Sequence, residues 1–379
     1  MSRSRQEEHQ AFLNWLLDVV QKQNIDVFIV AGDIFDTTTP PNYALELYYN
    51  FLTRLTKTSC KNVVITAGNH DSIATLKAPK QLLKAFNIHV VTSGEEEEEE
   101  LIPIYKDEKL QCVVCAVPFL RDFVLRKSLK EETLKEKENA LSQGIKEHYN
   151  KVYKEALKVV NGEDVPIVAT GHLTTLGAKT SESEREIYIG GSASVSSDIF
   201  SCFDYVALGH LHTNQQVLKN YICYSGSVIP LSFSEADSSK KVNIVEFKGK
   251  KPSVELLDIP LYRKLLVFRG DVAAILSALK KVEDKNSWIE VHLEDDNPYH
   301  ANEVIRSEAE SLGLTLLGVK IQKEEHSLDK AALNVLSLEE LQPKEVFLHR
   351  LAEEDIKDEA LKKALEDAFD EIVYEVQNR

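Results

Sequence analysis

The segment NVVITAGNHDS, residues 62–72, sets an apolar, β-branched run directly against Gly68, Asn69, His70 and Asp71. Val63, Val64 and Ile65 are the residues of a strand buried on both faces. The turn that follows needs a glycine and at most an asparagine. An imidazole and a carboxylate exceed that need, so the strand reads as carrying a site at its carboxyl end.

Outward from this point the pattern returns three times. DVFIVAGDIFD (26–36) is an apolar strand that ends at Gly32, followed by Asp33 and Asp36. VPIVATGH (165–172) closes on Gly171 and His172, and FDYVALGHLH (203–212) on Gly209 and His210, with His212 two residues on. Between these strands lie segments of helical spacing. Phe12, Trp15, Leu16, Val19 and Val20 form one stripe; Ala44, Leu47, Tyr48, Phe51 and Leu55 form another. APKQLLKAF (78–86) leads as a third helix into the strand IHVVT (88–92). Alternation of this kind predicts a layered α/β domain.

Residues 122–162 are highly charged and read as mostly helical, and YICYSGS, VNIVEFKGK and PSVELLDIP follow as strands without intervening helices. Past Pro260 the order strand, helix, strand, helix, strand predicts a compact βαβαβ unit. The expected organisation is a core domain over 1–259, a small second domain over 260–323, a polar linker over 324–342 and a helical tail over 343–379. In that tail Leu361, Leu365, Phe369, Ile372 and Val376 share one stripe.

The 379 residues are 43% hydrophobic, a globular value, and contain no apolar run of 18 or more, so no membrane-spanning helix is expected. The N-terminus lacks an apolar signal core. Five scattered cysteines point to a reduced, cytoplasmic setting. Cys112 and Cys115 lie in an apolar strand with no second pair nearby and read as two buried thiols rather than zinc ligands. A formal net charge of −16 does not advertise a nucleic-acid surface, so a polyanionic substrate would need bound cations, a basic patch or a partner. The run Glu95–Glu100 reads as a solvated loop. No G-x-x-x-x-G-K-[ST] occurs, so ATP dependence would come from a partner.

The four tips carry the chemistry. Each sets a glycine before Asp, Asn or His, which lets a ligand approach the backbone, and ligands gather outside the carboxyl ends of strands in layered sheets. A mixed oxygen and nitrogen donor set suits Mn²⁺, Fe²⁺ or Zn²⁺. His210 and His212 point to one side of an extended segment. Two cations roughly 3.5–4 Å apart clamp a phosphate and activate water.

GDIFD, GNHD, GH and GHLH in this order resemble the motifs of the calcineurin-like metallophosphoesterases. SRSRQEEHQAFLNWLL, VALGHLHTNQQV, YSGSVIPLSFSEA and the βαβαβ unit, which resembles a capping domain, extend the likeness over nearly the whole chain. They narrow it to the nuclease components of SbcCD-type complexes. The resemblance implies a layered metallophosphoesterase sandwich and a metal-dependent DNA nuclease with double-strand exonuclease and single-strand or hairpin endonuclease activity. It also implies two divalent cations, Mn²⁺ foremost.

By the same resemblance, Asp33 bridges both metals, Asn69, His172 and His210 complete one site, and His212 serves the other. His70 is the catalytic residue, which protonates the leaving 3′ oxygen or stabilises the phosphate, while Asp71 and Asp36 support from behind. The implied partners are DNA, an ATPase of SbcC type that docks on the C-terminal helices, and a second copy of the chain in a homodimer.

One element of the family pattern has no counterpart. The family opens with a strand and Asp-x-His, which supply two ligands to the metal also held by His212. Here the only early histidine is His9, at the beginning of a helix. A start placed too late, a trimmed chain or a loss of activity would each account for this; the first is favoured, because the rest of the site is intact. The alternatives to a nuclease are a catalytically impaired scaffold and a small-molecule phosphodiesterase.

Overall fold

The computed structural model describes residues 3–95, 97–125, 134–180, 184, 195–217, 221–294 and 298–321, with isolated positions at 347, 351, 362–363, 365–366 and 368–369. The chain forms two compact units, one of residues 1–185 with 194–321 and one of residues 186–193 with 322–379. In the second unit Phe347 and Phe369 stack with ring centroids 4.1 Å apart. The expected linker over 324–342 and most of the expected tail lie outside the described residues.

The first unit begins with α1 (Gln6–Lys22), β1 (Val27–Ala31), α2 (Asn42–Leu55), β2 (Asn62–Thr66), α3 (Ile73–Lys77), α4 (Lys80–Lys84) and β3 (Ile88–Val91). β1, β2 and β3 pair in parallel, in that order. Next come α5 (Glu97–Glu100), β4 (Leu101–Lys106), β5 (Lys109–Cys115), α6 (Asp122–Leu125), α7 (Leu134–Val160), β6 (Ile167–His172), β7 (Tyr205–Gly209), β8 (Gln215–Gln216) and β9 (Ile222–Tyr224). Their strands form a second sheet in the order β4-β5-β6-β7-β9-β8. A hairpin of β10 (Lys241–Lys248) and β11 (Lys251–Asp258) follows.

Strand alternation explains the layering. Val63 and Ile65 of β2 point to a core shared with Phe12, Leu16 and Val20 of α1 and with Phe51, Leu52 and Leu55 of α2. Val64, between them, points the other way, into a core with Val114, Ala116, Val168 and Tyr205 of the second sheet. Ile145, Tyr149, Val152 and Ala156 of α7 are fully buried. The layers are therefore helices, sheet, sheet, helix, in agreement with the α/β sandwich that the motifs imply.

The strands end in register where it matters. Ala31 pairs with Thr66 at the last position of β1 and β2, and His172 pairs with Gly209 at the last position of β6 and β7. Ser72, directly after the Gly-Asn-His-Asp tip, accepts a hydrogen bond from the Thr75 amide and caps α3.

Past Pro260, β12 (Leu265–Gly270), α8 (Val272–Leu279), β13 (Trp288–Leu293), α9 (Pro298–Ser311) and β14 (Thr315–Ile321) form the expected βαβαβ unit with a parallel sheet β12-β13-β14. Its core, built on Ile275, Leu279, Ile289, Val291 and Ile305, is its own. Two guanidiniums approach the Trp288 ring, Arg5 at 5.0 Å and Arg263 at 4.5 Å from its centre.

The reading of Glu95–Glu100 as a solvated loop needs correction. Glu95, Glu98 and Glu99 are exposed, but Glu97–Glu100 forms the short α5 and Glu100 is fully buried. The Glu100 carboxylate takes Nε2 of His148, from α7, at 2.9 Å. A histidine 48 residues further along the chain, not solvent, meets the charge.

Candidate metal centre

The tips of β1, β2, β6 and β7 converge. One ligand atom each from Asp33, His172 and His210 lies within 4.8 Å of the other two. The approach depends on the absence of side chains. A Cβ on Gly68 would sit 2.1 Å from Asp33 Oδ1, and one on Gly209 only 1.7 Å from the Ala31 carbonyl oxygen. Two of the three converging residues also have left-handed backbones, Asp33 at φ +50° and His210 at φ +89°. For non-glycine residues this costs energy, and such positions cluster where a site needs a side chain aimed against local preference.

His172 shows how the donor atoms are arranged. Its Nδ1 donates to the Ala31 carbonyl at 3.0 Å, which leaves a lone pair on Nε2. That nitrogen lies 3.2 Å from Asp33 Oδ2 and 2.9 Å from Asn69 Oδ1. Three acceptors then face one point, a set that a cation satisfies and that fits a divalent ion with oxygen and nitrogen ligands.

The electrostatics show that Asp33 and His172 act strongly on each other. Burial is the largest influence on His172 and opposes its protonation, but the charge and hydrogen bond of Asp33, the Ala31 carbonyl and the Asp71 charge together raise its pKa. Burial likewise pushes Asp33 up, and His172 pulls it well below the usual carboxylate range. His210 is held down to about 3 by burial and by His172. Phe119 walls the cluster, edge-on to the His172 ring.

His70 stands beside this group. Its amide donates to Asp33 Oδ1 at 3.1 Å, and its ring Nδ1 to the Asp36 carbonyl at 2.8 Å. The Asp36 carboxylate is 3.5 Å from the same nitrogen. Asp71 is fully buried and accepts from three amides: Gly68 at 2.8 Å, Phe35 at 3.0 Å and Ile34 at 3.1 Å. Burial raises its pKa against the pull of those amides. Asp71 therefore ties the first two site loops together.

His212 is not in the three-residue cluster found among the described residues. It is close enough to His210 to help lower that residue's pKa. Its amide donates to Glu184 at 2.7 Å and its Nδ1 to Glu235 at 3.3 Å. Neither acid stands out as a site residue from sequence, although Glu235 belongs to the quoted SFSEA segment. His9 lies in α1 with Nδ1 bonded to the Arg5 carbonyl, away from the tips.

Residues 6–214 match the family Calcineurin-like phosphoesterase, and residues 261–355 match the family Type 5 capsule protein repressor C-terminal domain. The SbcD component of nuclease SbcCD from Escherichia coli (strain K12) is 38% identical over 375 residues, 97% of this chain and 93% of that protein. The proteins of the same name from Rhodobacter capsulatus and Bacillus subtilis are each 29% identical, covering 87% and 77% of this chain and 85% and 74% of theirs. Among solved structures, a β-glucosidase from Trichoderma harzianum aligns at a TM-score of 0.19 and 10% identity, over 83% of this chain and 77% of that one, too low to bear on the fold. The chain belongs to the calcineurin-like phosphoesterases, in the group of SbcD components of SbcCD nucleases.

Proposed function

We propose that this chain is the metal-dependent nuclease component of an SbcCD-type complex, hydrolysing DNA phosphodiester bonds as a double-strand exonuclease and a single-strand or hairpin endonuclease. The observation that carries the proposal is the convergence of Asp33, His172 and His210 at the strand tips, in a chain of this family. Asp33, Asn69, His172 and His210 would hold one divalent cation, and Asp33 with His212 would contribute to a second. Mn²⁺ is the ion we assign. Bound cations supply charge neutralisation at phosphoryl oxygens and acidify water.

The chain's own residues supply the rest. Ala31 fixes the His172 tautomer, and Asp71 fixes the loops that carry Asp33 and Asn69. His70, held through Nδ1 by Asp36, would pass a proton from its other ring nitrogen to the leaving 3′ oxygen, work for which imidazole is suited near neutral pH. We further place the protein in the cytoplasm as a homodimer, attached to the ATPase partner through residues 343–379. That segment carries eleven acidic and six basic side chains, so it would repel DNA and suits a protein partner.

The test is cleavage of linear double-stranded DNA by the chain with its ATPase partner. Cleavage should require Mn²⁺, stop with a chelator and be lost in His172→Ala. Deletion of 343–379 should abolish co-purification with the ATPase partner. Hydrolysis of a small phosphodiester without any DNA cleavage would favour the small-molecule reading and overturn the proposal.

A further inference from the structure

The SFSEA segment follows the last of the four tips and ends in a short 3-10 turn, Phe233–Glu235. The Glu235 side chain is 3% exposed, and both of its oxygens are engaged. Oε1 meets Nδ1 of His212 at 3.3 Å. Oε2 takes the Lys240 ammonium at 2.5 Å, the Leu231 amide at 3.3 Å and the Ser227 hydroxyl at 3.4 Å. Lys240 is itself buried, and its Nζ also donates to the His212 carbonyl at 3.0 Å. Ser227 reaches that same carbonyl, through its amide at 3.0 Å.

One buried acid–base pair thus grips His212 twice, the ring through Glu235 and the backbone through Lys240. Burying two charges costs several kcal/mol per ion and makes a poor general stabiliser. A pair placed so that each member ends on the same histidine has a different use. A carboxylate on Nδ1 keeps the proton there and makes Nε2 the basic nitrogen, and ring orientation is then set by the carboxylate.

We propose that Glu235 is the positioning residue for His212, with Lys240 as its counter-ion, and that together they preset Nε2 to ligate a divalent cation. The inference rests on the reading of His212 as a metal ligand, and it adds what holds that ligand. Glu235 does not touch the cation or the substrate; it acts through the imidazole.

The experiment uses the full chain labelled with ¹⁵N in its histidines. The ring nitrogens of His212 are followed by NMR without metal and during titration with Zn²⁺ alone. Without metal, the wild type should show His212 as the Nδ1–H tautomer, and Zn²⁺ should shift Nε2. Glu235→Ala should lose the tautomer preference and bind Zn²⁺ at His212 about 10- to 100-fold more weakly, the usual effect of removing such a support. Glu235→Gln keeps an acceptor oxygen in the same shape and should recover much of both, so the result does not depend on the alanine variant folding.

A Glu235→Ala protein with unchanged tautomer and unchanged Zn²⁺ response overturns the proposal, and so does a folded Glu235→Gln protein that recovers neither. If Nε2 of the wild type ignores Zn²⁺ while the tautomer still depends on Glu235, the ligand reading of His212 is what fails. The clamp is then a structural contact and the positioning role is withdrawn.

Discussion

Asp71 accepts a hydrogen bond from the Phe35 amide at 3.0 Å, joining two loops whose residues lie 36 apart in sequence. The same carboxylate holds Gly68 and Ile34. One side chain therefore sets the spacing between the loop that carries Asp33 and the loop that carries Asn69 and His70.

Replacing Asp71 with asparagine should be costly despite the matched shape. The amide offers one acceptor oxygen to three donors and turns an NH₂ group toward them. Each buried amide left unpaired costs about 1–3 kcal/mol. Denaturant unfolding of Asp71→Asn should show a loss in that range or above, together with weaker Mn²⁺ binding in a calorimetric titration. A variant within about 0.5 kcal/mol of wild type, the margin of ordinary surface changes, would contradict this role.

His70→Ala should separate chemistry from metal binding. The contact to Asp33 comes from the His70 backbone, which the substitution keeps. Loss of a positioned acid typically costs about 10²–10⁴ in rate. DNA cleavage should fall by that factor while Mn²⁺ binding stays near the wild-type level. Loss of the ion in this variant would move His70 into the ligand set.

Glu100 and Glu98 offer a paired test two residues apart in one acidic run. Glu100→Ala strands His148 in the interior, and breaking a buried pair costs about 3–5 kcal/mol. Glu98 is exposed, so Glu98→Ala should stay within about 0.5 kcal/mol. Thermal unfolding of the two variants side by side reads the difference directly.

Gly209 and Gly177 make a second contrast. A methyl on Gly209 would meet the Ala31 carbonyl at 1.7 Å, whereas nothing lies within 4 Å of one on Gly177. Gly177 has φ +86°, so Gly177→Ala bears only backbone strain, about 1–2 kcal/mol. Gly209→Ala should exceed about 3 kcal/mol, the upper end of ordinary overpacking, and should lower Mn²⁺ affinity as well. Equal losses in the two variants would mean that the approach of β7 to β1 is not as tight as described.

What the residues alone reveal depends on how local each cause is. The helix over Gln6–Lys22 and the strands that end at Ala31 and Thr66 follow from periodicity and glycine placement within a short window. The convergence of Asp33, His172 and His210 is legible because each tip repeats one local pattern. Glu100 is hidden for the opposite reason: among its neighbours it is one more glutamate, and its partner is 48 residues away. Glu235 is visible as part of a motif but not as the acid on His212, since nothing in SFSEA says which imidazole it meets. The positive φ of His210 is only weakly signalled by its residue type, since histidine is merely enriched among such positions.

The hydrogen bond from His172 to the Ala31 carbonyl spans 141 residues and crosses from one sheet to the other. It cannot close until both sheets exist and have docked, so the site is among the last features to form as the chain folds. Contacts of such long range come late because the intervening loop entropy is met first. A cation that needs the finished site binds the native state and stabilises it by mass action. Its effect then belongs to the unfolding limb: an added divalent cation should slow the escape from the native state and leave the refolding rate unchanged.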